Sequence, residues 1–220
     1  MTKYAMVIDQ QKCTGCSGCS IACKGENNIT DGIFWSHYEH KTSGTFPNVK
    51  LEFMATLCNH CTNAPCVAAC PTTPKTMHKV NNGMTLYNSD TCISCRRCEN
   101  SCPYKQISFN AEAPSFDGKY NTAEPLYTNP DRNLTAVGGT KGIRKKGNVE
   151  KCTFCDHRVA NGVVPRCVEA CPSDARVFGD LDDPDSGVSK LLKANSYVVR
   201  KPETGAEPNV YYIRAYSPKK

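Results

Sequence analysis

Cys92-Ile-Ser-Cys95-Arg-Arg-Cys98-Glu-Asn-Ser-Cys102-Pro103 sets three cysteines two residues apart, a fourth three residues on, and a proline directly behind it. Reading outward, the grouping recurs. Cys13-x2-Cys16-x2-Cys19-x3-Cys23 lies upstream, with Lys24 where the proline would stand. Cys58-x2-Cys61-x4-Cys66-x3-Cys70 ends in Pro71, and Cys152-x2-Cys155-x11-Cys167-x3-Cys171 ends in Pro172. These four quartets use all 16 cysteines of the 220-residue chain.

Spacing decides the chemistry. In a C-x2-C-x2-C-x3-C-P run the first three thiolates hold one [4Fe–4S] cube and the fourth ligates a neighbouring one. Three thiolates in a tight loop cap three irons, and the fourth iron faces away. Small residues such as Gly15 and Gly18 let backbone N–H groups approach the cluster sulfurs. Disulfides would need eight bridges and leave the closely spaced triplets unexplained. Structural zinc uses cysteines in pairs, not in triplets followed by a fourth and a proline.

Apolar residues make up 39% of the chain, and the cysteines are a large part of them. Ordinary side chains thus supply a thin core, and the iron-free chain is expected not to fold stably. The longest apolar run, Tyr4 to Ile8, is far short of the roughly 20 residues of a membrane helix. Met1-Thr2-Lys3 leads straight into that run, so no signal peptide is read. The formal charge is +6. Sixteen thiolates and four cores of about +2 each bring the loaded chain to about −2 (6 − 16 + 8). The basic balance is therefore internal compensation; apart from Lys141-Gly-Ile-Arg-Lys-Lys146 no basic run stands out, and nucleic-acid binding is not expected.

Each fourth Cys belongs to a partner cluster, so the quartets must pair. The second and third are closest in sequence and form one module; the first and fourth close around it. The expected fold is α+β: two interleaved bacterial ferredoxin-like modules, each with two clusters, plus loop-rich insertions. The outer module takes residues 1–50 and 150–220, the inner 51–110, and 111–149 form a long connecting loop that contacts a partner. The expected ligand sets are Cys13, Cys16, Cys19 with Cys171; Cys152, Cys155, Cys167 with Cys23; Cys58, Cys61, Cys66 with Cys102; and Cys92, Cys95, Cys98 with Cys70. Strands are expected at Tyr4–Asp9, Met84–Tyr87, Tyr197–Val199 and Val210–Ile213. A helix is expected at Asp185–Ala194 behind Asp183-Pro184.

Among single residues, Trp35 reads as packing rather than as part of an electron path. His60 and His157 adjoin ligands and are candidates for hydrogen bonds that tune potential. Arg96 and Arg97 are expected to compensate cluster charge. Gly138-Gly-Thr-Lys-Gly142 lacks the spacing of a phosphate loop. No nucleophile motif, metal-binding His pair or dinucleotide fingerprint is present, so no catalytic residue is assigned. What is left is a relay for single electrons.

The four quartets, in this order and with these intervals, resemble the four-cluster iron–sulfur subunit of the dimethyl sulfoxide reductase family of molybdenum and tungsten enzymes, over nearly the whole chain. Met6-Val-Ile-Asp9, Gly32-Ile-Phe-Trp-Ser-His37, Gly44-Thr-Phe-Pro47, Thr56-Leu-Cys-Asn-His-Cys61, Lys151-Cys-Thr-Phe-Cys-Asp-His157 and Gly179-Asp-Leu-Asp-Asp-Pro184 are similar to respiratory arsenate reductase small subunits. Pro71-Thr-Thr-Pro-Lys-Thr-Met-His78 departs from the family's shorter turn. The resemblance implies the same nested pairing, a large molybdopterin-containing catalytic subunit at the first and fourth quartets, and a membrane quinol-oxidising subunit or cytochrome as donor beyond the second and third. It also implies the outer face of the cytoplasmic membrane or the periplasm, reached by co-export with the catalytic partner, the cytoplasmic face being the alternative. The same role in polysulfide, thiosulfate, tetrathionate or dimethyl sulfoxide reductase, or in catechol dehydroxylase, and a hydrogenase polyferredoxin remain the alternatives.

Overall fold

The computed structural model describes residues 2–27, 29, 32–111 and 146–215. Most of the expected connecting loop at 111–149 therefore lies outside the described residues, as does the Gly138–Gly142 segment. In chain order the elements are β1 (Tyr4–Asp9), α1 (Gly18–Asn27), β2 (Ser36–Ser43), β3 (Lys50–Leu57), α2 (Pro65–Ala68), β4 (Met77–Lys79), β5 (Thr85–Tyr87), α3 (Arg97–Ser101) and β6 (Ile107–Phe109). Then follow β7 (Val149–Lys151), α4 (Asp156–Val159), α5 (Arg166–Glu169), β8 (Arg176–Asp180), α6 (Gly187–Ala194), β9 (Tyr197–Val198) and β10 (Val210–Ile213). The fold is α+β with short elements throughout.

A four-stranded sheet in the order β8-β1-β10-β9 brings the two ends of the chain together. β1 runs parallel to β10 and antiparallel to β8. Both faces of β1 are buried, and its alternation divides the core. Met6 and Ile8 join a large cluster that contains most of the buried cysteines, while Ala5 and Val7 pack on Val177, Val188, Leu191 and Leu192 of β8 and α6. α6 begins at Gly187, not Asp185, because the Ser186 hydroxyl accepts the Ser189 N–H at 3.1 Å and caps the first turn. β5 starts one residue later than expected and β9 stops one earlier, differences at frayed ends.

Three hairpin-like ribbons complete the framework. β2 and β3 pair over eight residues, from Ser36 opposite Leu57 to Ser43 opposite Lys50. β4 pairs with β5, and β6 pairs with β7 from Ile107 opposite Lys151 to Phe109 opposite Val149. The last ribbon ties the chain just after the third quartet to the chain just before the fourth. Nine of the sixteen cysteines are buried, so they are part of this core rather than an addition to it.

Candidate functional site

The C-x3-C step has one structural meaning in all four quartets: it spans about one helical turn. Cys19 and Cys23 lie on α1, while Cys66, Cys98 and Cys167 lie on α2, α3 and α5 with Cys70, Cys102 and Cys171 at or just past the helix ends. Four residues rise about 6 Å along a helix axis, which lets the two thiols of each step serve different neighbours. Pro65 opens α2 at a position where its missing N–H costs nothing.

The thiols gather in four groups. Cys13, Cys16, Cys19 and Cys171 line one cavity together with Gly15, Tyr38 and Arg176. Cys58, Cys61, Cys66 and Cys102 line a second with Pro65, Thr85 and Tyr104. Cys70, Cys92, Cys95 and Cys98 line a third with Thr72 and Arg96. Cys23, fully buried, has its thiol pushed well up by burial first and then by its neighbours Cys155, Cys152 and Cys167, which make the fourth group. Asn27 spans this group, its Nδ2 donating to Cys23 Sγ at 3.6 Å and Cys155 Sγ at 3.8 Å.

The groups stand in a row. Burial first, then Cys58 and Cys167, raise the Cys152 thiol. Burial, partly offset by Arg176, then Cys19, raise Cys167. Cys98 is pushed up to about 12 by burial, with Cys66 among its neighbours. The order is thus the Cys13 group, the Cys152 group, the Cys58 group and the Cys92 group. Cys16 at one end and Cys95 at the other are exposed, whereas all four thiols of the Cys152 group are buried.

Each loop turns inward by the same device. The residue two positions after the first cysteine is left-handed in every quartet: Gly15 (φ 69°), His60 (φ 44°), Ser94 (φ 60°) and Phe154 (φ 56°). Such turns aim backbone N–H groups at an anion. The Phe154 N–H donates to Cys152 Sγ at 3.4 Å, and after the helix the Ala175 N–H donates to Cys171 Sγ at 3.3 Å. Burial works against ionising Cys171 and Cys70, but the N–H and hydroxyl donors around them prevail and lower both thiols.

This donor set fits [4Fe–4S] cores. Burial pushes Cys61 and Cys155 up to about 12 and Cys66 to about 11, an arrangement costly for bare thiolates and relieved by iron. In three of the four groups the thiols ring a cavity, the shape a four-iron cube needs.

Of the neighbouring residues, Trp35 packs as expected, whereas the histidines and Arg96 bond to the scaffold. His157 Nε2 pairs with Glu26 Oε1 at 2.8 Å, and His60 Nδ1 accepts the Thr85 N–H at 3.1 Å, so these bonds serve the scaffold rather than a thiol. Arg96 is spent on Glu99, at 2.6 and 3.1 Å, and covers the Phe109 ring. Trp35 is buried and donates to Glu150 Oε1 at 3.0 Å, a packing role. The sequence reading missed the buried cations Lys151 and Arg176. Lys151 donates to the Thr85 and Cys152 carbonyls. Arg176 Nη2 donates to Ser36 Oγ at 3.0 Å. Lys151 directly precedes the ligand Cys152, a signal the sequence carried, whereas Arg176, five residues beyond Cys171 at the start of β8, carried none.

Comparison with known proteins agrees with this geometry. A family model described as a 4Fe-4S dicluster domain matches residues 49–117 and 140–181. The chain is 50% identical to the arsenate respiratory reductase iron–sulfur subunit ArrB of Shewanella sp. (strain ANA-3), over 99% of this chain and 98% of that one. It is 36% identical to a selenate reductase subunit of Mesobacillus selenatarsenatis, over 96% and 72%. It is 31% identical to a polysulfide reductase chain of Wolinella succinogenes, over 96% and 94%.

Proposed function

We propose, since the chain belongs to the 4Fe-4S dicluster family of reductase iron–sulfur subunits, that it relays single electrons to the molybdopterin catalytic subunit of an anaerobic respiratory reductase, with arsenate as the terminal acceptor. It is a non-catalytic electron-transfer subunit carrying four [4Fe–4S] clusters. When bound, each cluster supplies reversible one-electron redox chemistry. The protein's part is to hold, space and insulate them.

The ligand sets are the four thiol groups: Cys13, Cys16, Cys19 and Cys171; Cys152, Cys155, Cys167 and Cys23; Cys58, Cys61, Cys66 and Cys102; and Cys92, Cys95, Cys98 and Cys70. On this reading the two ferredoxin-like modules are interleaved, residues 51–110 lying within the module formed by both ends of the chain. The observation that carries the reading is the row of groups, exposed at Cys16 and Cys95, with every thiol of the two middle groups buried except a half-buried Cys102. A relay needs an entry, an exit and a sealed middle. The catalytic subunit faces the Cys16 end and a membrane quinol-oxidising subunit or cytochrome the Cys95 end. Among the described residues no helix is long and apolar enough to cross a membrane. The complex works at the outer face of the membrane, exported with its catalytic partner.

Anaerobic purification with the neighbouring large subunit tests this. The expected result is about sixteen irons per chain and dithionite-reduced clusters that arsenate reoxidises only when the large subunit is present. Reoxidation by selenate or polysulfide but not arsenate would reassign the acceptor. A colourless chain would end the relay reading.

A further inference from the structure

Arg176 opens β8, five residues after Cys171, and only 3% of it is exposed. It lines the cavity of the Cys13 group beside Cys19 and Cys171. It also faces the Cys167 thiol of the next group. Its Nη2 donates to Ser36 Oγ on β2 and the guanidinium also bonds to the Cys167 thiol, while Nη1 is buried without a hydrogen-bond partner. An arginine guanidinium keeps its proton in proteins, so the buried side chain carries a full positive charge. A donor left unbonded in a dry interior is costly unless something there satisfies it. The side chain is thus a fixed positive charge between two thiol groups, with one face open to them.

We propose that Arg176 is the positioning residue that sets the reduction potentials of the two clusters held by the Cys13 and Cys152 groups, raising both by stabilising the electron-rich state of each. The inference rests on the reading that these thiols hold clusters. A fixed cation favours the more negative, reduced form of a neighbouring centre, and the effect is large where water is excluded. Net charge and hydrogen bonds to sulfur are the protein's means of tuning such centres. The Cys58 and Cys92 groups lie beyond the Cys152 group, so their potentials should be unaffected by Arg176. The relay would then have two separately tuned halves, with the acceptor-side half made the better electron sink.

The test is an anaerobic redox titration of the full iron-loaded chain, followed by electron paramagnetic resonance, comparing wild type with Arg176→Met, Arg176→Gln and Arg176→Lys. The expected result is that both neutral variants lower two of the four midpoints by at least a tenfold change in the reduction constant, or 59 mV for one electron. The other two midpoints stay in place, and Arg176→Lys stays near wild type. If the neutral variants lose about eight irons while Arg176→Lys keeps all, the cation serves cluster loading and the assignment to potentials is overturned. Unchanged midpoints in a fully loaded neutral variant would overturn the assignment. So would a lysine variant displaced as far as the methionine variant, or one that loses the same irons. A wild-type chain without about sixteen irons would instead overturn the cluster reading beneath it.

Discussion

The His60 imidazole lies flat on the Phe154 ring, centroids 3.7 Å apart and planes inclined by 18°. His60 belongs to the loop of the second quartet and Phe154 to that of the fourth, so the stack joins the two middle thiol groups. Both residues occupy the left-handed position of their loops, which explains why two such different side chains meet. Phe154 is 1% exposed and also meets Phe178 edge-on at 5.3 Å. Phe154→Ala should destabilise the loaded chain by about 3–5 kcal/mol through the void it leaves. A double-mutant cycle with His60→Ala, read by anaerobic chemical denaturation, should give a coupling of about 0.5–1.5 kcal/mol. Additive losses would mean that the stack is proximity without interaction.

The quartets were legible because each keeps a Cys-x2-Cys start and a Cys-x3-Cys end, even where the interval between them stretches. β1, β10 and α6 were legible for the ordinary reason that their apolar positions repeat. The β2–β3 ribbon was not. Ser36-His-Tyr-Glu-His-Lys-Thr-Ser43 is almost wholly polar, and most of the strand is solvated, so it carries no alternation. β6 and β7 are three residues each and pair across a gap of 40 positions, from Phe109 to Val149, beyond any local window. Buried charge was hidden too. Glu150 and Lys151 are inside because partners distant in sequence satisfy them, Trp35 and Asn110 for the first and the Thr85 carbonyl for the second, while Ser36 anchors one nitrogen of Arg176. Composition alone would put all three on the surface.

Gly15 is the one glycine among the four left-handed loop positions, and the structure shows why. Its φ is 69°, and an added Cβ would meet the Phe53 ring of β3 at 3.3 Å. Gly15→Ala should therefore cost about 1–2 kcal/mol from backbone strain, with a further penalty if the ring cannot give way. The Cys13 group should lose iron before the other three. Gly25→Ala, on α1 with nothing within 4 Å of the added carbon, is the matched control and should leave loading unchanged. Anaerobic melts and iron assays on the two variants decide it.

Glu26 ties the helix bearing Cys23 to the one that follows Cys155. Its carboxylate accepts His157 Nε2 at 2.8 Å and Arg158 Nη1 at 3.3 Å. The His157 bond, opposed by burial and aided by Arg158, holds it below its ordinary 4.5. Because the folded value lies below the unfolded one, the stabilisation is complete above about pH 4.5 and fades as pH falls through the folded value. Glu26→Gln should cost about 1–2 kcal/mol at pH 7. The gap between wild type and variant should narrow as the buffer is taken below pH 4.5. A gap that stays constant with pH would show that the carboxylate's charge contributes nothing.

Ligands that cross between quartets leave a distinctive pattern of non-additivity. Cys171 lies 152 residues beyond Cys19 in sequence but lines the same cavity as Cys13, Cys16 and Cys19, while Cys23, on the same helix as Cys19, sits with Cys155. Cys13→Ser and Cys171→Ser should each lower iron from about sixteen to about twelve per chain, and the double variant should lose no more than either alone. Cys13→Ser combined with Cys23→Ser should remove two clusters and leave about eight irons, although those residues share a quartet. If quartets instead bound their clusters without exchange, the outcomes would reverse: Cys13 and Cys23 would be redundant, and Cys13 and Cys171 additive. Iron and acid-labile sulfide assays on the four variants separate the two arrangements, because sequence neighbours and spatial neighbours predict opposite sums.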